Sequence, residues 1–321
     1  MNRREFIGYG LAACLGLGGL RAVTRRQTRV RIRGHAESAL GGRLAVIRGN
    51  APSPGAEPGT VRAMTRRAVD ALGGMNGLVR EGQRVVIKPN MAWNARPAVA
   101  ANTNPWVVAA LVEMCLEAGA SRVRVLDHTI SSDPRSCYEA SGIAEAAAGA
   151  GAQVVYVDPA RFREVSIADG YALASWPFYD EFINADVCDI LINVPVLKHH
   201  GTSRLSMGMK NVLGMVDGER GDLHKDIHRK IADLSRVVKV DLTVMDAYRV
   251  IRRHGPTGGA PGDVDNTVDG ARRIVAGADP VAVDSYGASM FGFEPRDIGF
   301  IAFAEDAGLG SSDWKSKALT L

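Results

Sequence analysis

The sequence predicts an α/β fold with a mostly parallel sheet covered by helices on both faces, built as one domain or as two closely packed lobes. Short apolar runs rich in β-branched residues alternate with helical segments along the chain, a pattern typical of parallel sheets. The chain has 321 residues, of which 46% are hydrophobic, so it is able to bury a large core. We therefore expect an ordered globular protein.

The predicted elements follow one another in an order that fits this fold. Residues 84–88 and 190–194 are short apolar runs, which predict strands buried on both faces. Residues 105–119 begin with proline and end with glycine, which predicts a helix. The other predicted strands are 44–48, 122–126, 153–157, 242–245 and 273–276, and the other predicted helices are 61–72, 136–148, 203–216, 223–237, 280–290 and 295–304.

The N-terminus has the order of features found in a twin-arginine export leader. Arg3 and Arg4 are followed by Glu5 as a spacer and then by an apolar run over residues 6–20. This run is shorter than the ~20 residues of a comfortable transmembrane helix. We expect export by the twin-arginine translocation machinery to the periplasm or the outer face of the membrane. A short anchoring helix that is never cleaved is the alternative.

These features divide the chain into three parts. We expect a leader at residues 1–33, a linker at 34–43 and an α/β domain at 44–321. The leader contains eight arginines and one acidic residue, so it accounts for the formal net charge of +4, and the remainder carries −3. A nucleic-acid-binding protein needs a basic face on its folded domain, and this balance gives no sign of one.

Polar side chains follow four of the predicted strands, at the carboxyl ends where parallel sheets bind ligands. Lysine and asparagine can fix an anionic group, and histidine can move protons near neutral pH. We therefore predict one site for a small anionic ligand. Its candidate catalytic residues are His199, His128 and Lys198, and its candidate ligand- or cofactor-binding residues are Lys88, Asn90, Lys210 and Asn211.

A divalent metal is a further candidate ligand of this site. His224 and His228 are four residues apart, which would place them on one face of the predicted helix. Lys225 stands where the metalloprotease motif H-E-x-x-H has glutamate, and an exposed polar helix face is the alternative reading. The full candidate ligand set is His199, His200, His224, His228 and Asp246.

Five short motifs, taken in order, resemble the bacterial and archaeal family catalogued as domain of unknown function 362. They lie at residues 86–90, 193–199, 209–214, 244–247 and 277–284, and the resemblance covers roughly residues 84–308. It implies an α/β domain that is often associated with iron–sulfur proteins and, in many members, carries a ferredoxin-like cysteine segment. The four cysteines of this chain contain no C-x-x-C pair, so we expect no iron–sulfur cluster of its own.

These observations favour an exported enzyme that acts on a small anionic substrate, either with a metal or together with a redox partner. Asp246 and Asp284 would orient lysines or bind the metal. Two alternatives belong to other classes. One is a non-catalytic extracytoplasmic protein that binds an anion or a metal, and the other is an assembly factor for a redox complex.

Overall fold

The computed structural model describes residues 31–33, 40–50, 53, 55–258 and 260–320. The predicted leader, apart from its last three residues, and most of the predicted linker lie outside the described residues. Among the described helices, none combines the length and the apolar character that a membrane-spanning helix needs.

The described chain forms strands and helices in alternation, as the sequence predicts. The strands are β1 (Leu44–Arg48), β2 (Arg84–Pro89), β3 (Arg122–Val125), β4 (Gln153–Val154), β5 (Phe162–Ser166), β6 (Ser175–Tyr179), β7 (Ile190–Val194), β8 (Val196–His200), β9 (Arg204–Ser206), β10 (Leu242–Ile251), β11 (Val264–Asp265), β12 (Arg273–Gly277) and β13 (Ala318–Thr320). The α-helices are α1 (Glu57–Asp70), α2 (Pro105–Glu117), α3 (Pro134–Ala140), α4 (Ile143–Gly149), α5 (Asp180–Ile183), α6 (Ile227–Val237), α7 (Pro280–Ser289), α8 (Gly299–Asp306) and α9 (Trp314–Lys317).

A large mostly parallel sheet forms the centre of the molecule, which confirms the predicted fold class. Its strand order is β13-β1-β12-β10-β7-β2-β3-β4. Strand β12 runs antiparallel to both of its neighbours, while the pairs from β10 through β7, β2 and β3 to β4 are parallel. The carboxyl ends of β2, β3 and β7 therefore meet at one edge of the sheet.

Helices cover both faces of the sheet because side chains alternate along each strand. On β1, Ala45 and Ile47 pack into the core beneath α1 and α2. Leu44 and Val46 point to the other face, where α6, α7 and α8 supply the apolar partners. Strand β7 is buried along its whole length, as expected for a strand covered on both sides.

Strand β8 carries Lys198, His199 and His200, which follow β7 closely in the sequence. Pro195 separates the two strands, and β8 then pairs with β10 in parallel and with β9 as a hairpin. Lys198 and His200 point inward on β8, where both are buried, and His199 between them is half-buried. The cluster is thus held on a strand at the carboxyl edge of the sheet.

Several predicted helices are wrong or divided. The predicted helix at 203–216 is instead β9 followed by the 3-10 helix Lys210–Met215. The predicted helix at 223–237 begins only at Ile227, because Asp226 adopts a left-handed conformation with φ of 59°. Gly142, with φ of 70°, divides the predicted helix at 136–148 into α3 and α4.

Candidate anion site

A cavity of about 560 Å³ opens at the carboxyl ends of β2, β3 and β8. This volume is within the range of ~300–1,000 Å³ that is usual for small-molecule sites. The cavity brings together eight of the sequence-predicted site residues, and it adds residues that the sequence did not single out. Its titratable or amide-bearing lining residues are Lys88, Asn90, Asp127, His128, Lys198, His200, Lys210, Asn211, Arg220 and His224.

Lys88 and Asp127 form a buried ion pair on the floor of the cavity. Lys88 Nζ lies 2.9 Å from Asp127 Oδ1, and each side chain is only 1% exposed. The other carboxylate oxygen, Asp127 Oδ2, accepts a hydrogen bond of 2.7 Å from the Met91 N–H. Burial lowers the pKa of Lys88, and the Asp127 charge opposes that shift. This pair therefore fixes one cation in a place shielded from water.

A chain of amide side chains supports this ion pair. Asn211 Oδ1 accepts hydrogen bonds from Lys88 Nζ at 2.7 Å and from Asn90 Nδ2 at 3.2 Å. The Asn211 amide in turn donates to Asn193 Oδ1 at 2.8 Å, and Asn193 donates to the Gly208 carbonyl at 2.8 Å. Each bond in this chain fixes the orientation of the next amide. The predicted residues Asn90 and Asn211 thus position Lys88.

Asp284 holds the segment that precedes Lys210. Its carboxylate accepts hydrogen bonds from the backbone N–H groups of Gly208, at 2.6 Å, and Met209, at 2.9 Å. Burial raises the pKa of Asp284 to about 7, although the two N–H donors oppose that shift. Asp284 therefore orients the lysine-bearing segment through the backbone.

Gly214 leaves the space that the buried ion pair occupies. A Cβ atom at this position would lie 2.6 Å from Lys88 Nζ and would also overlap Asp127 Oδ1. No real Cβ contact is that close, so only glycine fits without displacing the pair.

Two further lysines reach the same cavity. Lys198 is buried, and its Nζ donates to the Ala101 carbonyl and lies 3.4 Å from Asn90 Oδ1. Burial, followed by the charge of Lys210, lowers the pKa of Lys198 well below its usual value. Burial and the charge of Lys88 lower the pKa of Lys210 to about 8. Burial is the main cause of both shifts, and the charge of a neighbouring lysine adds to it.

His128 and His224 present an unprotonated ring nitrogen. His128 Nδ1 lies 2.8 Å from the Val216 carbonyl, and His224 Nδ1 lies 3.2 Å from the Arg220 carbonyl. A carbonyl can only accept, so we assign the proton of each neutral ring to Nδ1. Burial lowers the pKa of both rings, which favours this neutral form. Their Nε2 atoms are left with a lone pair and are able to accept a proton.

His200 has the opposite tautomer. Its Nδ1 accepts hydrogen bonds from the N–H groups of Thr202, at 3.2 Å, and Ser203, at 3.3 Å. The proton of the neutral ring therefore sits on Nε2. Burial and the neighbouring cations lower the pKa of His200 to about 3. His200 is thus a neutral donor at the cavity wall, able to donate to an anion.

The structure does not bring the five candidate metal ligands together. His200 and His224 stack with their ring centroids 5.9 Å apart, whereas His199, His228 and Asp246 do not line the cavity. Within the described residues, no group of three or more histidine, cysteine, aspartate or glutamate side chains is arranged to hold a metal ion.

Hydrogen bonding explains why the three outlying residues are directed elsewhere. His199 Nδ1 accepts from the Gly255 N–H, and His228 Nδ1 accepts from the Phe300 N–H. Asp246 lies within β10, and its carboxylate accepts from two backbone N–H groups. Moreover, His224 and His228 share no helix face, because His224 precedes the start of α6.

Arg220 is a cavity residue that the sequence reasoning missed. Its guanidinium donates to the carbonyls of His128, at 3.0 Å, and Thr129, at 2.5 Å. It lies on the connection between the 3-10 helix Lys210–Met215 and α6, where no periodic pattern marks it. Only the folded chain places this charge beside the end of β3.

Residues 85–289 match the family model described as "Domain of unknown function (DUF362)", and every residue that lines the cavity lies within that range. A thylakoid-associated protein from Synechocystis sp. is 27% identical over 261 residues, which are 79% of this chain and 77% of that protein. A protein of solved structure from Thermotoga maritima has a TM-score of 0.38 and 9% identity, and the match covers 81% of this chain and 60% of that one.

Proposed function

This chain belongs to the family of domain of unknown function 362, and we propose that it is an enzyme acting on a small anionic substrate bound at the carboxyl ends of β2, β3 and β8. The observation that carries this proposal is the charge of the cavity. Lys88, Lys198, Lys210 and Arg220 line it, while Asp127 is the one carboxylate among the described residues of its wall.

Such an excess of cations is unfavourable unless an anion binds. Two like charges 4 Å apart repel by about 4 kcal/mol at the effective dielectric constant near a protein surface. The pKa values of Lys198 and Lys210 are lowered first by burial and then by the charge of a neighbouring lysine. A bound carboxylate or phosphate reverses both effects, because it favours the charged form of each lysine.

The histidines supply the proton-transfer groups that an enzyme needs. His128 and His224 line the cavity, and each has an unprotonated Nε2, so each is able to act as a general base. The Nε2–H of His200 donates to the anion and holds it in place. The alternative, a protein that only binds the anion, needs hydrogen-bond donors such as His200 but no proton acceptor.

Ligand binding is tested first, by thermal unfolding with oxalate, succinate, citrate, phosphate, 2-oxo acids and 2-hydroxy acids. We expect at least one of these anions to raise the melting temperature of the wild type and to lose its effect with Lys198→Met. The matched control is Lys225→Met, which removes one lysine charge from an exposed position outside the cavity. The proposal would be contradicted if no anion stabilised the protein, or if Lys198→Met and Lys225→Met lost the stabilisation equally.

Catalysis is tested on the anions that bind. The wild type is incubated in D2O with each binding anion that has carbon-bound hydrogen, and the C–H signals of that anion are followed by NMR. An acid–base enzyme exchanges a carbon-bound proton for deuterium, and His128→Gln slows that exchange while binding persists. Retention of every C–H signal at full occupancy would favour the binding-protein alternative.

We further propose that the chain is exported and works outside the cytoplasm, because Arg3, Arg4, the Glu5 spacer and the apolar run have the order of features of a twin-arginine leader. The double substitution Arg3→Lys with Arg4→Lys keeps the charge but removes the arginine pair. We expect it to abolish export in a fractionation experiment, and unchanged export would contradict this proposal.

A further inference from the structure

The three lysines of the cavity differ in how the protein engages them. Lys88 Nζ is paired with Asp127 and Asn211, and Lys198 Nζ donates to the Ala101 carbonyl. In the described part of the chain, no hydrogen bond or ion pair engages the Lys210 ammonium group, although Lys210 lines the cavity. Lys210 is therefore the lysine whose nitrogen is left for a ligand.

Lys210 also lies at the centre of the charged groups. Its charge disfavours protonation of Lys198, His200 and His224, and the charge of Lys88 acts on Lys210 itself. Near pH 8 a large share of Lys210 is consequently the free amine, the nucleophilic form of lysine. A surface lysine has its ordinary pKa near 10.4 and is almost entirely protonated at that pH.

We propose that Lys210 is the covalent nucleophile of this cavity and forms a Schiff base with a small carbonyl compound that carries a carboxylate or phosphate group. The inference rests on the proposed function, since it names the substrate class and the chemistry of the same site. Lys198, His200 and Lys210 line the same cavity. In this proposal Lys198 and His200 bind the anionic group, and Lys210 Nζ attacks the adjacent carbonyl carbon.

The step is a condensation that needs no oxidant or reductant. The Nζ lone pair attacks the carbonyl carbon, and the C=O π pair moves onto the oxygen, which takes up a proton to become a hydroxyl. Water then leaves as the C=N bond forms, so that the carbonyl oxygen and two protons depart together. The Nε2 atom of His128 or His224 accepts the amine proton and returns it to the departing oxygen.

Reductive trapping tests this inference directly. The full chain is incubated at pH 8 with sodium cyanoborohydride and, in separate arms, pyruvate, 2-oxoglutarate or dihydroxyacetone phosphate. We expect one covalent addition per chain with at least one probe, mapped by peptide mass spectrometry to Lys210. The arms distinguish a carboxylate from a phosphate as the anionic group.

Two variants and a pH series control the experiment. Lys210→Arg keeps the charge and is expected to lose the addition, whereas Lys225→Arg is expected to retain it. Trapping in the wild type is expected to rise between pH 6 and pH 8, as the amine of Lys210 becomes neutral. Circular dichroism shows whether Lys210→Arg is folded, and the peptide map of the wild type identifies the modified lysine in either case.

The outcomes separate this inference from the proposed function. Thermal stabilisation by a probe without an addition at Lys210 overturns the inference and leaves the proposed function standing. Additions spread over exposed lysines, or an unchanged addition in Lys210→Arg, also overturn it. If no probe stabilises the protein and no probe is trapped on it, both the inference and the proposed function are contradicted.

Discussion

Substitution of Asp127 by asparagine probes the buried ion pair on which the cavity floor depends. Lys88 and Asp127 are 2.9 Å apart, with 1% of each side chain exposed. Removing one partner of such a pair leaves an uncompensated buried charge, which costs about 3–5 kcal/mol. Asparagine keeps an oxygen for the Met91 N–H, so the expected loss arises from the charge and not from the backbone hydrogen bond.

This loss of stability should depend on pH in a defined direction. Burial lowers the pKa of Lys88 in the folded protein, so the unfolded chain holds that proton to a higher pH. Stability therefore rises with pH between the folded and the unfolded pKa of Lys88. Without Asp127 the folded pKa falls further and the window widens. The stability deficit of the variant is expected to shrink as the pH rises from the folded pKa of Lys88 in the variant to that in the wild type.

Urea unfolding followed by far-ultraviolet circular dichroism measures this deficit at pH 7, 8.5 and 10. Asp222→Asn is the matched control, because Asp222 pairs with Lys225 on the surface and both side chains are exposed. We expect little change in that variant at any pH. A deficit of less than ~1 kcal/mol for Asp127→Asn at pH 7, or one that stays constant with pH, would refute the reasoning.

Three further predictions follow from the same geometry. Gly214→Ala should weaken both stability and anion binding, because the new Cβ overlaps the ion pair. Gly221→Ala at the same cavity should change neither, because its Cβ meets no atom within 4 Å. Unfolding and binding titrations of the two variants measure both effects. Anion affinity should fall as the pH rises through about 8, where Lys210 loses its charge, and calorimetric titrations from pH 6 to 10 would show a flat profile if Lys210 took no part. The folded pKa of Asp284 is raised to about 7, so the wild type loses stability as the pH rises through that value. Relative to the wild type, Asp284→Asn should therefore gain stability between pH 5 and pH 8. The same pH dependence of unfolding in both proteins would contradict this prediction.

Much of the sheet could be predicted from local sequence. Strand β7 has the bounds that its apolar run predicted, and β1 and β2 differ from their predictions by at most one residue. Because β2, β3 and β7 are parallel, their polar ends had to meet at one edge. This rule explains why Lys88, His128 and Lys198 could be placed at one site without any knowledge of the folded chain.

The parts that could not be predicted depend on contacts distant in sequence. The conformation before Lys210 is set by Asp284, which lies 76 residues beyond Gly208 and accepts the Gly208 N–H. The tautomer of His128 is set by the Val216 carbonyl, 88 residues away. Histidine spacing predicted a metal site, but the described residues do not bring the five ligands together. Spacing carries no information about which ring nitrogen is already hydrogen-bonded to the backbone.

The most direct test of the cationic site is isothermal titration calorimetry of the wild type at pH 8.5 with oxalate, succinate, citrate and phosphate, repeated in two buffers of different ionisation enthalpy. If an anion restores the charge of desolvated lysines, binding takes up protons from the buffer, and Lys210→Met reduces that uptake. We predict measurable binding with net proton uptake for at least one of these anions. Two results would contradict the account. One is that none of the four anions binds, and the other is that binding takes up no protons and is the same in Lys210→Met.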